Sequence, residues 1–82
     1  MKKTNVHNNI RKLRFLKDEM TQQQLADLVG VSRQTIVAIE KEKYSPTIEI
    51  AFLIARVFDL SLEEVFSYGE SDEVDQTQSG DK

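Results

Sequence analysis

The chain has no cysteine and no tryptophan, and only one proline and one histidine among its 82 residues. Without cysteine, neither a disulfide framework nor a thiolate metal site can form. A single histidine leaves no nucleophile, base and orienter set and no ligand cluster, so the expectation is a protein that is not an enzyme and needs no cofactor or metal. His7 itself lies near the start of the chain and is given no ligand or catalytic role. No run approaches the roughly 18 apolar residues that span a bilayer, and MKKTNVHNN has two lysines with no apolar stretch behind them. The chain therefore reads as soluble and unexported, with no membrane partner, and its composition is compatible with a reducing cytoplasm. Alternating runs with hairpin chemistry are missing as well, which leaves the all-α class.

What is present is charge, unevenly spread. The formal net charge is −3, yet residues 1 to 45 carry nine Lys/Arg against five Asp/Glu, and residues 46 to 82 carry two against nine. Much of the acidity lies in ESDEVDQTQSGDK, residues 70 to 82, where Val74 is the one strongly apolar residue. Such a composition does not offset its own ordering entropy. The expected organisation is one domain over residues 1–69 and a disordered acidic tail over 70–82. The tail is assigned to plain solvation, with shielding of the basic face as the alternative.

Helical periodicity runs through the rest, with clear punctuation. Ile10, Leu13 and Phe15 or Leu16 give one face of a first helix from about 8 to 17. Thr21 and Gln24 fit a capping box, and Met20 with Leu25 a hydrophobic staple, so a second helix is expected over about 22 to 28. Gly30 can take the left-handed conformation that ends it. Ser32 then caps a third helix, stapled by Val31 and Ile36. After Pro46, Thr47 caps a fourth reaching about residue 58, and Ser61 with Glu64 opens a short fifth.

A link of about three residues around Gly30 forces the second and third helices to pack steeply, and Ala26 supplies the small side chain their close approach requires. Ile36 and Ile39 then face inward. The leading turn of the third helix, with Ser32, Arg33 and Gln34, and the face bearing Val37 and Ala38, must point outward.

The segment TQQQLADLVGVSRQTIVAIE, residues 21 to 40, resembles the helix-turn-helix of the phage-repressor and Cro type, also called the xenobiotic-response-element family. The family's small residue falls on Ala26, its turn glycine on Gly30, its hydrophobic turn residue on Val31 and its inward branched residues on Ile36 and Ile39. The similarity extends from Ile10 to Phe66, through KYSPTIEIAFLIARVF and SLEEVF.

The resemblance implies a compact five-helix bundle of the lambda-repressor-like type that binds double-stranded DNA, with the third helix, about 32 to 41, in the major groove. A major groove about 12 Å wide admits one helix and shows a distinguishable donor and acceptor pattern. Arg33 suits guanine, Gln34 suits adenine, and Val37, Ala38 or the Thr35 methyl suits a thymine methyl; Ser32 stands close by, and Thr35 equally suits phosphate. The family uses the second helix's N-terminus to hold a phosphate, which brings in Gln22. Thr35, Lys41, Lys43 and Tyr44 are the other expected phosphate contacts, although lysines at a helix C-terminus also favour the helix dipole. Arg14 and Glu40 match the family's buried ion pair. The chain departs from the family pattern at three points: RFLKDEM, residues 14 to 20, lacks the usual glycine of the first link, and Glu42 and Asp59 stand where glycine is common. Asp tolerates the left-handed conformation moderately and Glu poorly, so a loop of different shape is expected after the third helix.

The fourth helix is apolar nearly all round, with Glu49 and Arg56 its plainly polar residues. Its stripe divides between core and an interface in which Leu53, Val57, Leu62, Val65, Phe66 and Tyr68 pair two subunits. A homodimer predicts recognition helices about 34 Å apart and a palindromic operator. The expected function is a sequence-specific transcriptional regulator, a repressor of the kind without a sensor domain. The alternative is a protein-interaction module such as an antitoxin or a bridging transcription cofactor.

Overall fold

The computed structural model describes residues 4–69. Among these residues five helices lie in chain order: α1 (Ile10–Leu16), α2 (Gln22–Val29), α3 (Arg33–Glu40), α4 (Ile48–Val57) and α5 (Leu62–Val65). They are framed by two short strands, β1 (Val6–Asn8) and β2 (Phe66–Tyr68), which pair antiparallel with Val6 opposite Tyr68 and Asn8 opposite Phe66. The all-α expectation is corrected here. Residues 6 to 8 begin no helix, and α1 starts two residues later than its apolar spacing suggested, with the Asn8 side chain accepting from the Ile10 amide at 3.1 Å. The acidic tail expected over 70–82 lies outside the described residues.

Local chemistry explains the helix boundaries. Thr21 and Gln24 form both bonds of the capping box, at 2.8 and 3.0 Å, and Ser61 with Glu64 repeats it at 2.8 and 3.2 Å. Ser32 and Thr47 each accept one amide at the starts of α3 and α4. Among the described residues, four other than glycine hold positive φ: Asp18 at 62°, Glu19 at 55°, Glu42 at 61° and Asp59 at 60°. The last two end their helices in the manner usually reserved for glycine. The Lys43 amide reaches back to the Ala38 carbonyl at 3.0 Å and the Leu60 amide to Ala55 at 3.0 Å, the six-residue closure of a Schellman turn. The loop after α3 therefore keeps the shape a glycine would give it, against the expectation of a different one. The link between α1 and α2 turns through two consecutive left-handed residues instead of one glycine.

Ile10, Leu25, Ile36, Ile39, Ile54 and Val65 are the largest side chains removed completely from solvent. Burial of each contributes about 1.5–3 kcal/mol. They come from α1 through α5, so one core fixes α3 against the rest. Val65 and Phe66, expected at a subunit interface, are 1% and 9% exposed and belong to this core. Their positions follow from α5 being one turn long, so that its end turns under α4 into the sheet.

Candidate nucleic-acid interface

The turn joining α2 to α3 is built by Gly30, with φ 90° and ψ 31°, whose amide and that of Val31 both reach the Ala26 carbonyl, at 2.8 and 3.0 Å. Ala26 is fully buried where the two helices meet. Beyond the turn, Ser32 Oγ accepts the Thr35 amide at 3.2 Å and lies 3.0 Å from Thr35 Oγ1. Ile36 and Ile39, 0% and 1% exposed, fasten the inner face of α3. Helical geometry then sets the outer face: Ser32, Arg33 and Gln34 are exposed, while Thr35, Val37 and Ala38 are half-buried along its flank. Arg33 and Gln34 make no side-chain hydrogen bond or ion pair among the described residues, so five guanidinium N–H donors and a carboxamide stand unengaged.

The C-terminal end of α3 is held by the expected ion pair. Arg14 Nε and Nη2 donate to Glu40 Oε2 and Oε1 at 2.7 and 3.1 Å, a two-pronged bond, and Nη1 donates to the Met20 carbonyl at 2.8 Å. The two side chains are 14% and 8% exposed. Gln22 Nε2 donates to Glu40 Oε1 at 3.2 Å, so the carboxamide expected at phosphate is turned toward this pair. The capping box occupies the amides of Thr21 and Gln24; those of Gln22 and Gln23, in the first helical turn, have no partner within the helix.

Around this N-terminus lies a crevice of about 540 Å³ lined by Arg11, Arg14, Glu19, Gln22, Glu40 and Lys41, with Met20 and Thr21. Arg14 and Glu40 neutralise one another. Arg11 and Lys41 against Glu19 leave a positive balance at the mouth. Arg11 was missed from sequence, although it lies three residues before Arg14 and so on the same face of α1. Lys43 and Tyr44 are exposed on the loop after α3.

The model of the helix-turn-helix family matches residues 10–65, which covers α1 through α5. The chain belongs to that family, in its Cro and repressor branch. A helix-turn-helix-type transcriptional regulator of Methanocaldococcus jannaschii is 54% identical over 54 residues, 66% of this chain and 80% of that protein. Another from Bacillus subtilis, YgzD, is 39% identical over 59 residues, 72% of this chain and 88% of its own length. The solved structure of the transcriptional regulator VanUg has the same fold, with a TM-score of 0.64 at 15% identity over 87% of this chain and 93% of that one. This is a family of DNA-binding transcriptional regulators. Among the described residues no helix is long and apolar enough to cross a membrane.

Away from α3, α4 exposes two apolar residues that the sequence had not assigned between core and interface, and the expected interface residue Tyr68 is exposed beside them. Ile48 is 73% and Phe52 50% exposed, and Tyr68 on β2 is 78% exposed. Ile48, Ala51, Leu62, Phe66 and Tyr68 line a shallow groove of about 380 Å³. Leu53 and Val57 are half-buried against the core. At 100° per residue they occupy the far flank of α4 from Ile48 and Phe52, with Glu49 and Arg56 between. Nearly uniform apolarity hid which flank faces out, because periodicity carries no phase when every position is apolar.

Proposed function

We propose that this protein is a sequence-specific transcriptional repressor, acting in the cytoplasm, that places α3 in the major groove of an operator. The observation that carries this reading is the pair of exposed, unengaged side chains Arg33 and Gln34 on the first turn of a helix whose other face is locked into the core. Their donors and acceptors match guanine and adenine edges, and Ser32, Val37 and Ala38 border the same strip. The unpaired amides of Gln22 and Gln23 take one phosphate, with Arg11 and Lys41 beside it; Thr35, Lys43 and Tyr44 contact the strand further along. Gln22 serves through its backbone, since its side chain supports Glu40.

Two copies pair through the groove side of α4, where Ile48, Phe52, Leu62 and Tyr68 offer apolar surface, and the operator is correspondingly palindromic. Selection of bound duplexes from a random pool, at fixed salt, tests the reading with wild type and Arg33→Ala. Wild type enriches a two-fold-symmetric sequence, and Arg33→Ala loses preference at one position per half-site, a cost of about 1–3 kcal/mol. Failure of wild type to enrich any sequence, or identical enrichment by both proteins, refutes it.

A further inference from the structure

The imidazole of His7 bridges two oxygen atoms from distant parts of the chain. Nδ1 lies 3.0 Å from Glu42 Oε1, and Nε2 lies 2.9 Å from the Gly69 carbonyl oxygen. A carboxylate and a peptide carbonyl only accept hydrogen bonds. A neutral imidazole has one N–H and one lone pair, so it satisfies one of these oxygens and turns a lone pair toward the other. The imidazolium ion donates to both. The bridge is therefore complete only when His7 is protonated and Glu42 ionised.

Glu42 is the residue held at φ 61° after α3. Besides the ring, β1 and the residues beside it fasten this loop and the end of α3 at one point each: the Thr4 amide donates to the Glu42 carbonyl at 3.1 Å, and Asn8 Nδ2 donates to the Ile39 carbonyl in the last turn of α3 at 2.9 Å. Lys41 and Lys43 flank Glu42 on the loop. From β2, Ser67 stands opposite His7 and is not ionisable, and Tyr68, one residue on, points to the other face of the sheet. Position 42 thus combines a backbone conformation that costs a glutamate free energy with a side chain clamped by a titratable partner.

We propose that His7 is a proton-operated latch that fastens the loop after α3 to the two-stranded sheet and releases it as the pH rises through the imidazole range. Folding binds the proton at His7 more tightly than the unfolded chain does. The stability it contributes is accordingly full on the acid side, below about 6.5, and is lost above. The loop carries Lys41, Lys43 and Tyr44, so the latch sets how firmly those groups are presented. That consequence alone rests on the DNA-binding reading; the latch is a property of the free protein and is tested there.

The experiment follows ¹⁵N chemical shifts of the His7 ring and the backbone amides of Thr4, Glu42 and Lys43 from pH 5 to 8.5, alongside melting temperature, in wild type and His7→Gln. The comparison cancels every other group titrating in this range, the α-amino group included. Both ring nitrogens are expected to be protonated at pH 5.5, with the loop amides moving at the midpoint of the ring. The wild-type melting temperature should fall by about 4–8 °C more than that of His7→Gln, the shift that losing about 1 kcal/mol produces in a domain of this size. Glu42→Gln, which keeps an acceptor without the charge, should lower the ring midpoint. Loop amides that stay still while the ring titrates, or parallel melting curves for wild type and His7→Gln, overturn the latch.

Discussion

Removing the Glu40 carboxylate by Glu40→Ala tests how the recognition helix is held. The change abolishes two Arg14 bonds, at 2.7 and 3.1 Å, and the Gln22 bond at 3.2 Å. It leaves a guanidinium 14% exposed with the Met20 carbonyl as its remaining partner. Stranding one member of a buried pair costs about 3–5 kcal/mol. The retained carbonyl and the partial access of solvent put this case near the lower end, about 3 kcal/mol. A domain of this size has about 3–10 kcal/mol of stability in all, so that loss is a large share of it. The corresponding fall in melting temperature is about 12–24 °C, at about 4–8 °C per kcal/mol. Thermal and urea denaturation followed by circular dichroism at 222 nm measure it. The double replacement Arg14→Met with Glu40→Leu removes both charges together and should recover most of the loss. If Glu40→Ala melts with wild type and loses only DNA affinity, the pair belongs to the interface and the structural argument is wrong.

Three further outcomes can be checked directly. Asp59→Gly relieves a left-handed residue at the end of α4 whose side chain makes no hydrogen bond or ion pair among the described residues, and should raise stability by about 0.5–1 kcal/mol in urea titrations; an unchanged or lowered midpoint contradicts the strain argument. Arg11→Ala should weaken binding evenly across DNA sequences and flatten the plot of log affinity against log salt by about 0.9, the value of one phosphate contact. A sequence-dependent loss would instead make Arg11 a base reader. Ile48→Glu, at a position already 73% exposed, should leave the fold intact and convert a sedimenting dimer to monomer; a wild-type monomer at micromolar concentration removes the proposed pairing.

The parts of the fold decided within a few residues of sequence were legible before any coordinates. The Thr21 and Ser61 capping boxes and the Ser32 and Thr47 caps rest on contacts three residues apart, the Gly30 turn on contacts four and five apart, and the inward pair Ile36 and Ile39 on helical spacing. The exposed Arg33 and Gln34 followed from those same contacts, because fixing one face of a helix fixes the other. The Arg14–Glu40 pair spans 26 residues and was reached only through family resemblance. What escaped was non-local. VHN and FSY are too short to show alternation, and they pair across nearly the whole domain. His7 could not be given a partner while that pairing was unknown, and Arg11 gained meaning only once α1 stood beside the start of α2. The left-handed Glu42 was unexpected because local preference disfavours it, and the contacts of the surrounding turn override that preference.

The small sheet also brings the two ends of the described chain to one place, since the Gly69 amide donates to the Asn5 carbonyl at 3.1 Å. A host protein's surface loop could therefore carry this module as an insert with little stretching at either junction. Dyes attached at the same two points would sit side by side while the helices are packed and separate on unfolding, which gives a distance gauge for denaturation without altering any side chain of the outward strip.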